Sequence, residues 1–448
     1  MRAVAGTFAV RNAVIQSNCG IMNRDTCIVV GRAAAALIVL AAARVGAASI
    51  DAIVTEALRR NPELESYRAA ISIAHGERRT AAEYPNPDVN SELGVKTITG
   101  GGEGTGQLWT IGVLQPIDFP SRRALRKAIA DRQIALAELA LQSFELELAK
   151  RVRLLAYQTI VAREKAAVVE QVAGRFREIT RVLNERAPAG VAPALEARIL
   201  EANTVALDRT RIEIETQLQA ASYQLNQLRG AGAEAPIEID AEELRLAPLS
   251  SMTQLLALAR SGNFDLRVRQ VELEQQGFRV RLTGSEKWTG VTAGPFVHRE
   301  NADTHDLMAG VSVRFPLPLW NQNKGAIDSA KAREVQAAAS LNAMVRKVES
   351  EIAAAVAMYD ARLREIARWT PEVLGRMREA AETADKNYRL GAIPLTTYTE
   401  LQKQYLDAQT TLLSAQASAL EARQNIELLI GKLETGRTPR SRTTQFSK

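Results

Sequence analysis

The stretch NYRLGAIP (387–394) has the same plan as ERAPAGVAP (185–193), 201 residues earlier: Gly190 matches Gly391 and Pro193 matches Pro394. A glycine that stops one helix, followed by a proline that opens the next, marks a tight turn between two helices. Helical sequence runs away from both turns. Ser121 to Ala187 contains no proline and a single glycine, Gly174, and the return runs through 193–229. The second copy runs from Lys324 to Leu390, interrupted once at Thr370-Pro371, and returns through 394–430. Each outgoing helix would be ~100 Å long at 1.5 Å per residue. In the last return helix Leu401, Tyr405, Ala408, Leu412, Ala415, Ala419, Ala422, Ile426 and Leu429 alternate spacings of four and three, an uninterrupted heptad seam. Its counterpart is Leu200, Leu207, Ile214, Leu218, Ala221, Leu225 and Leu228, with Thr204 and Arg211 as exceptions.

Further matches at nearly the same offset make the body a tandem duplication. ALRRNPEL (57–64) pairs with ALARSGNFDL (257–266), Asn61 on Asn263; IGVLQPI (111–117) pairs with AGVSVRFPL (309–317); NQLRG (226–230) pairs with ELLIG (427–431). Upstream of each long helix lie a short helix, 62–84 in the first half, and a β-hairpin. DVNSELGVKTI and QLWTIGVLQPI flank the glycine-rich TGGGEGTG; Trp109, Ile111 and Val113 share one face, bounded by Gln107 and Gln115. In the second half GVTAGPFVH precedes HDLMAGVSVRF, where Leu307, Ala309, Val311, Val313 and Phe315 alternate with Asp306, Ser312 and Arg314. A period of two is the mark of a two-faced strand. The expected organisation is a first repeat over 49–230 with hairpin 87–117 and coiled-coil hairpin 121–229, and an inter-repeat segment 231–262. A second repeat over 263–433 has hairpin 289–316 and coiled-coil hairpin 324–430, and a basic tail fills 434–448.

The chain has 448 residues, 46% hydrophobic and 24% charged, with only 5% aromatic. Its net charge of +6 comes from the ends: residues 1–47 carry +4 and the tail +3, so the body is near −1. That argues against a nucleic-acid footprint. Arg24 and Arg32 precede AAAALIVLAAA, and small residues follow at Gly46, Ala47 and Ala48. This reads as a signal peptide over 1–48, with Met22 as an alternative start. Cys19 and Cys27 both precede the cleavage site and neither follows a lipobox, so the mature chain would be exported and cysteine-free. The apolar run is too short for a membrane-spanning helix, which needs ~20 residues.

Four strands cannot close a barrel alone, and open edges in lipid leave backbone groups unpaired at several kcal/mol each. Three chains would pool 12 strands. The short helices, ~23 and ~37 residues, stacked end to end would match the ~67-residue long one along its length.

With the duplicated core, the Asn61-Pro62-Glu63-Leu64 start, Gln115-Pro116-Ile117, PLPLWNQNKG (316–325) and Tyr388-x-x-Gly391, the chain resembles the TolC-type outer-membrane factor family, in its CzcC-like heavy-metal branch. The resemblance covers about 50–431. It implies a mainly α fold with a small β part: duplicated helical hairpins forming a trimeric α-barrel below a 12-stranded transmembrane β-barrel. It implies an outer-membrane location in a Gram-negative bacterium with a periplasmic extension. The partners would be two further copies, outer-membrane lipid, a periplasmic adaptor and an inner-membrane resistance-nodulation-division pump. The function would be a passive exit duct for heavy-metal cations. Multidrug efflux and type I secretion are alternatives within the class. A pore-less periplasmic coiled-coil adaptor is the alternative outside it, and it would need lipoyl-like and β-barrel domains for which the strands are too few.

The resemblance also places the periplasmic tips at Gly190, Pro193, Gly391 and Pro394, where an adaptor would dock. The acidic aperture that relatives carry after Tyr-x-x-Gly falls on Thr397 and Glu400, of which only Glu400 is charged. Tyr388, which opens that motif, is placed with the aperture, and Arg389 is the candidate tether partner beside it. No catalytic constellation or cofactor motif is legible: His75, His298 and His305 have no His or Cys at ligand spacing. His298 and His305 flank the second hairpin's loop and read as solvated loop histidines rather than a metal site at the outer mouth, and GGGEG (100–104) lacks the Lys-Ser/Thr of a phosphate loop. Paired acids such as Glu145 and Glu147 read as a solvated face.

Overall fold

The computed structural model describes residues 48–98, 104–186, 191–240, 246, 248–287, 290–301, 305–317 and 319–432. The signal peptide read over 1–48 therefore lies outside them except for Ala48, as do most of the glycine-rich loop, Gly190 and the basic tail.

Nine helices and four strands are described. In chain order they are α1 (Ile50–Arg60), α2 (Glu63–Ala82), β1 (Asp88–Ile98), β2 (Gly104–Ile117), α3 (Pro120–Arg186) and α4 (Val191–Leu228). Then come α5 (Met252–Gly262), α6 (Phe264–Ser285), β3 (Val291–Asn301), β4 (His305–Arg314), α7 (Lys324–Ile366), α8 (Pro371–Arg389) and α9 (Leu395–Leu429). The long helices start and stop where proline and glycine punctuate the sequence. Two eleven-residue helices, α1 and α5, were not anticipated: each ends one or two residues before the helix that follows it. Because α5 stands to α6 as α1 stands to α2, a helix of the second repeat falls inside 231–262.

Ala48 and Pro236–Asp240 form a small unit by themselves. In it the Ala48 N–H donates to the Glu238 carbonyl (2.8 Å) and the Asp240 N–H to the Ala48 carbonyl (3.2 Å). The remaining described elements form one unit.

In that unit α3 packs against α1, α2, α4, α6 and α9, and α7 against α5, α6 and α9. The end-to-end stacking of short helices has a specific cause. Buried Asn61 accepts from the Glu63 N–H (2.9 Å), capping α2, and donates to the Leu228 carbonyl at the end of α4 (2.9 Å). Asn263 repeats this, accepting from the Leu266 N–H (3.0 Å) and donating to the Leu429 carbonyl (2.9 Å). One side chain thus satisfies an orphan donor of one helix and an orphan acceptor of another. The neighbouring turns leave no room for a side chain. Gly230 (φ +68°) and Gly431 (φ +67°) are left-handed, and a Cβ on them would sit 2.5 Å from the Arg60 carbonyl and 2.0 Å from the Gly262 carbonyl.

The exceptions in the α4 seam are accommodated locally. The Thr204 hydroxyl donates back to the Leu200 carbonyl (2.8 Å), and Arg211 reaches Glu215 at 2.8 Å.

The strands form one antiparallel sheet in the order β1-β2-β3-β4. Register places Val89 beside Val113, Ser91 beside Ile111 and Leu93 beside Trp109; Ile111 then meets Val297, which meets Ala309. One face therefore carries Val89, Leu93, Val95, Ile111, Val113, Leu307, Val311 and Val313, all exposed. The other face is mostly polar, with Asn90, Glu92, Lys96, Thr110, His298 and Glu300, though Leu108, Phe296 and Met308 also lie on it. Lys96 reaches across Gly106 to pair with Glu300, and the Thr110 hydroxyl lies 2.9 Å from His298 Nδ1. On this face Phe296 covers two glycines: a Cβ at Gly112 would lie 3.3 Å from it and one at Gly310 2.9 Å from its ring. The outer edges of β1 and β4 pair with nothing among the described residues. Nor is any described helix long and apolar enough to cross a membrane.

Candidate functional site

The second helical turn is held open by Gly391 at φ +75°, a conformation that costs other residues about 1–2 kcal/mol. The Ala392 N–H donates to the Asn387 carbonyl (2.8 Å) and Gly391 to that of Tyr388 (2.9 Å), ending α8. Pro394 caps α9 from extended backbone at φ −73°. In the first turn Gly190 lies outside the described residues, and Pro193 is the third residue of α4.

Just above the turns, helices from both repeats share one core. Val172, Phe176, Ile179 and Leu183 of α3, Ala197 and Leu200 of α4, Ala381, Ala384 and Tyr388 of α8, and Leu395, Tyr398 and Tyr405 of α9 are buried together. The Tyr388 ring stacks on Tyr398, centroids 5.0 Å apart and planes 13° from parallel, and Phe176 meets Tyr398 edge-on at 5.8 Å.

Polar groups bind the second hairpin to the first around this core. The Tyr388 hydroxyl donates to Glu196 of α4 (2.6 Å). Arg389 pairs with Asp385 on its own helix (2.9 Å) and approaches Glu178 of α3 (3.9 Å). The Tyr398 hydroxyl donates to Asp385 (3.3 Å). Fully buried Gln402 donates to the Ala381 carbonyl (2.7 Å) and accepts from Arg175 of α3 (2.9 Å), which lies 3.8 Å from Glu382. Burial, with the Asp385 carboxylate second, pushes the Tyr398 phenol far above its ordinary range. The Arg181 hydrogen bond, foremost, holds Glu178 below the usual carboxylate range.

Of the residues singled out by sequence, Tyr388 and Arg389 join this network. Thr397 and Glu400 do not: both are exposed on α9, three residues apart on the side away from buried Tyr398. Glu400 accepts from Gln404 (2.9 Å). Glu178, Glu196, Asp385, Arg175 and Gln402 were missed. Asp385 left a signal four residues before Arg389, and Glu178 one three residues before Arg181, each on one helix face; Arg175, Glu196 and Gln402 find partners on another hairpin. Among the described residues no group of three or more His, Cys, Asp or Glu side chains is placed to hold a metal.

A sheet with one apolar, exposed face and two open edges has the out-and-in alternation of outer-membrane β-barrel strands. Residues 53–231 and 255–432 match the outer membrane efflux protein family, and the chain belongs to it. Among characterised relatives, it is 23% identical to the cobalt-zinc-cadmium resistance protein CzcC of Cupriavidus metallidurans. That match covers 64% of this chain and 66% of the relative, just under two thirds of its length. Among solved structures it is similar to CusC (TM-score 0.71, 14% identity, covering 86% of this chain and 92% of that one). It is equally similar to the Campylobacter jejuni outer-membrane channel CmeC (TM-score 0.71, 15% identity, 85% of each chain). At such identities these two show the shared fold. Family and neighbours are channels.

Proposed function

We propose that the chain is the outer-membrane exit duct of a tripartite efflux system in a Gram-negative bacterium, assembled as a homotrimer and exporting heavy-metal cations. The observation that carries this is the two-faced sheet with two open edges. Three copies supply twelve strands, pair every edge and turn the apolar face to lipid, while the polar face lines a lumen. The helices continue the duct into the periplasm, where an adaptor contacts the turns at Gly190, Pro193, Gly391 and Pro394. An inner-membrane resistance-nodulation-division pump supplies the energy. Thr397 and Glu400 line the aperture, and three Glu400 carboxylates form its acidic ring. Tyr388 and Arg389 tether it shut through Glu196, Asp385 and Glu178.

The metal reading is supported by the similarity to CzcC. Its test is a deletion strain grown on graded cobalt, zinc and cadmium salts and on cationic dyes. Sensitivity to the metals, reversed by the intact gene, is the expected result. Sensitivity to dyes alone would transfer the duct to multidrug efflux.

A further inference from the structure

We infer that the second hairpin carries a hinge at residues 367–370, about which α8 and the first turns of α9 pivot, whereas the first hairpin has none. Its use in opening the aperture rests on the duct reading above. At the repeat offset of 201, Thr370 and Pro371 correspond to Val169 and Glu170. Val169 is buried inside α3, which runs unbroken for 67 residues. The second repeat is instead cut into 43 and 19 residues.

The cut is a complete helix end and a complete helix start. α7 closes with Ala367 donating to the Leu363 carbonyl (2.9 Å) and Trp369 to that of Ile366 (2.9 Å). α8 opens with Thr370 as N-cap, its hydroxyl accepting from the Val373 N–H (3.4 Å), and Pro371, which has no N–H to offer, in the first turn. Bending here therefore breaks no helical hydrogen bond.

Packing is also interrupted at this level. Val348, Ile352 and Tyr359 belong to one core with Ala419, Ala422 and Ile426, while Ala381, Ala384 and Tyr388 belong to the core above the turns. Between them, from Asp360 to Ala380, no residue is fully buried; Leu363 and Ile366 pack partly buried against the first core and Met377 against the second, so the two cores part between Ile366 and Met377. Opposite the cut, Arg362, Glu365, Thr410, Thr411, Ser414 and Ser418 line a cavity of about 250 Å³. Such a polar wall takes water when helices shift, where an apolar one would lose packing. Lys165 of α3 donates to Ser414 (2.7 Å) and fixes the pivot.

The test is double electron–electron resonance on the full-length trimer, with spin labels at exposed pairs of α3 and the second hairpin. Asn184–Lys386 lies below the cut and Glu164–Asp360 above it. With the tether cut by Arg389→Ala, the lower distance should broaden or lengthen by about 5 Å, the travel of a 19-residue helix turned by ~10°. The upper distance should not change. Thr370→Ala/Pro371→Ala, which fuses α7 and α8, should return the lower distribution to its tethered width; Pro371→Ala alone should do so in part and serves if the double variant fails to assemble. Equal changes in both pairs, or a lower pair indifferent to fusion, would overturn the hinge. Bilayer conductance of the same protein judges the duct separately: a chain that bends but never conducts keeps the hinge and loses the duct.

Discussion

Gln402 and Tyr398 show what single side chains do in the core above the turns. Replacing Gln402 by Leu removes the side-chain donor to the Ala381 carbonyl and leaves Arg175 with the more distant Glu382 (3.8 Å). An unsatisfied buried group costs about 1–3 kcal/mol, so Gln402→Leu should lower the midpoint of thermal unfolding without abolishing expression. The Tyr398 phenol, raised by burial, is an acid held neutral by the fold. Its contribution is fully present below the unfolded value of ~10 and falls as pH rises beyond that. Unfolding followed between pH 8 and 11 should show stability falling above pH ~10, less steeply in Tyr398→Phe. Glu400 is exposed on α9 and accepts from Gln404. In the proposed aperture, three copies would attract cations, an effect that salt weakens. Glu400→Ala should reduce cation selectivity, or block by trivalent cations, in planar bilayers with trimer yield unchanged. If selectivity and block both persist, the acidic ring lies elsewhere.

Elements were the most legible level. Proline and glycine punctuation put the ends of α3, α8 and α9 within a residue or two of their positions, while α7 stops at Ile366, ahead of the Thr370-Pro371 interruption; alternation gave β1, β2 and β4, and the repeated hairpin plan gave β3. The helices α1 and α5 were lost because Asn61 and Asn263 cap the next helix almost without a gap, so two helices read as one start. That same pair is the best probe of helix stacking. Asn61→Ala should cost about 1–3 kcal/mol by freeing the Leu228 carbonyl, seen as a lower midpoint in denaturant, and Asn263→Ala should match it through Leu429. The clamp above the turns was not legible, since Glu196 and Tyr388 stand 192 residues apart and share no periodic signal. Heptad spacing shows which faces are buried, not which polar groups meet across them.

At the scale of the whole molecule, the duplication makes two hairpins that look alike and behave differently. The first is braced by an unbroken α3 that five other helices pack against; the second is cut at Thr370-Pro371. An exposed apolar face is a liability in water, and two edges unpaired among the described residues are costly in lipid. The proposed closure by copies of the same chain would remove both faults together. Native mass measurement of the detergent-extracted outer-membrane protein tests this most directly. The account predicts a species three times the mass of the processed chain that conducts when added to a planar bilayer. A monomer that conducts on its own would contradict it.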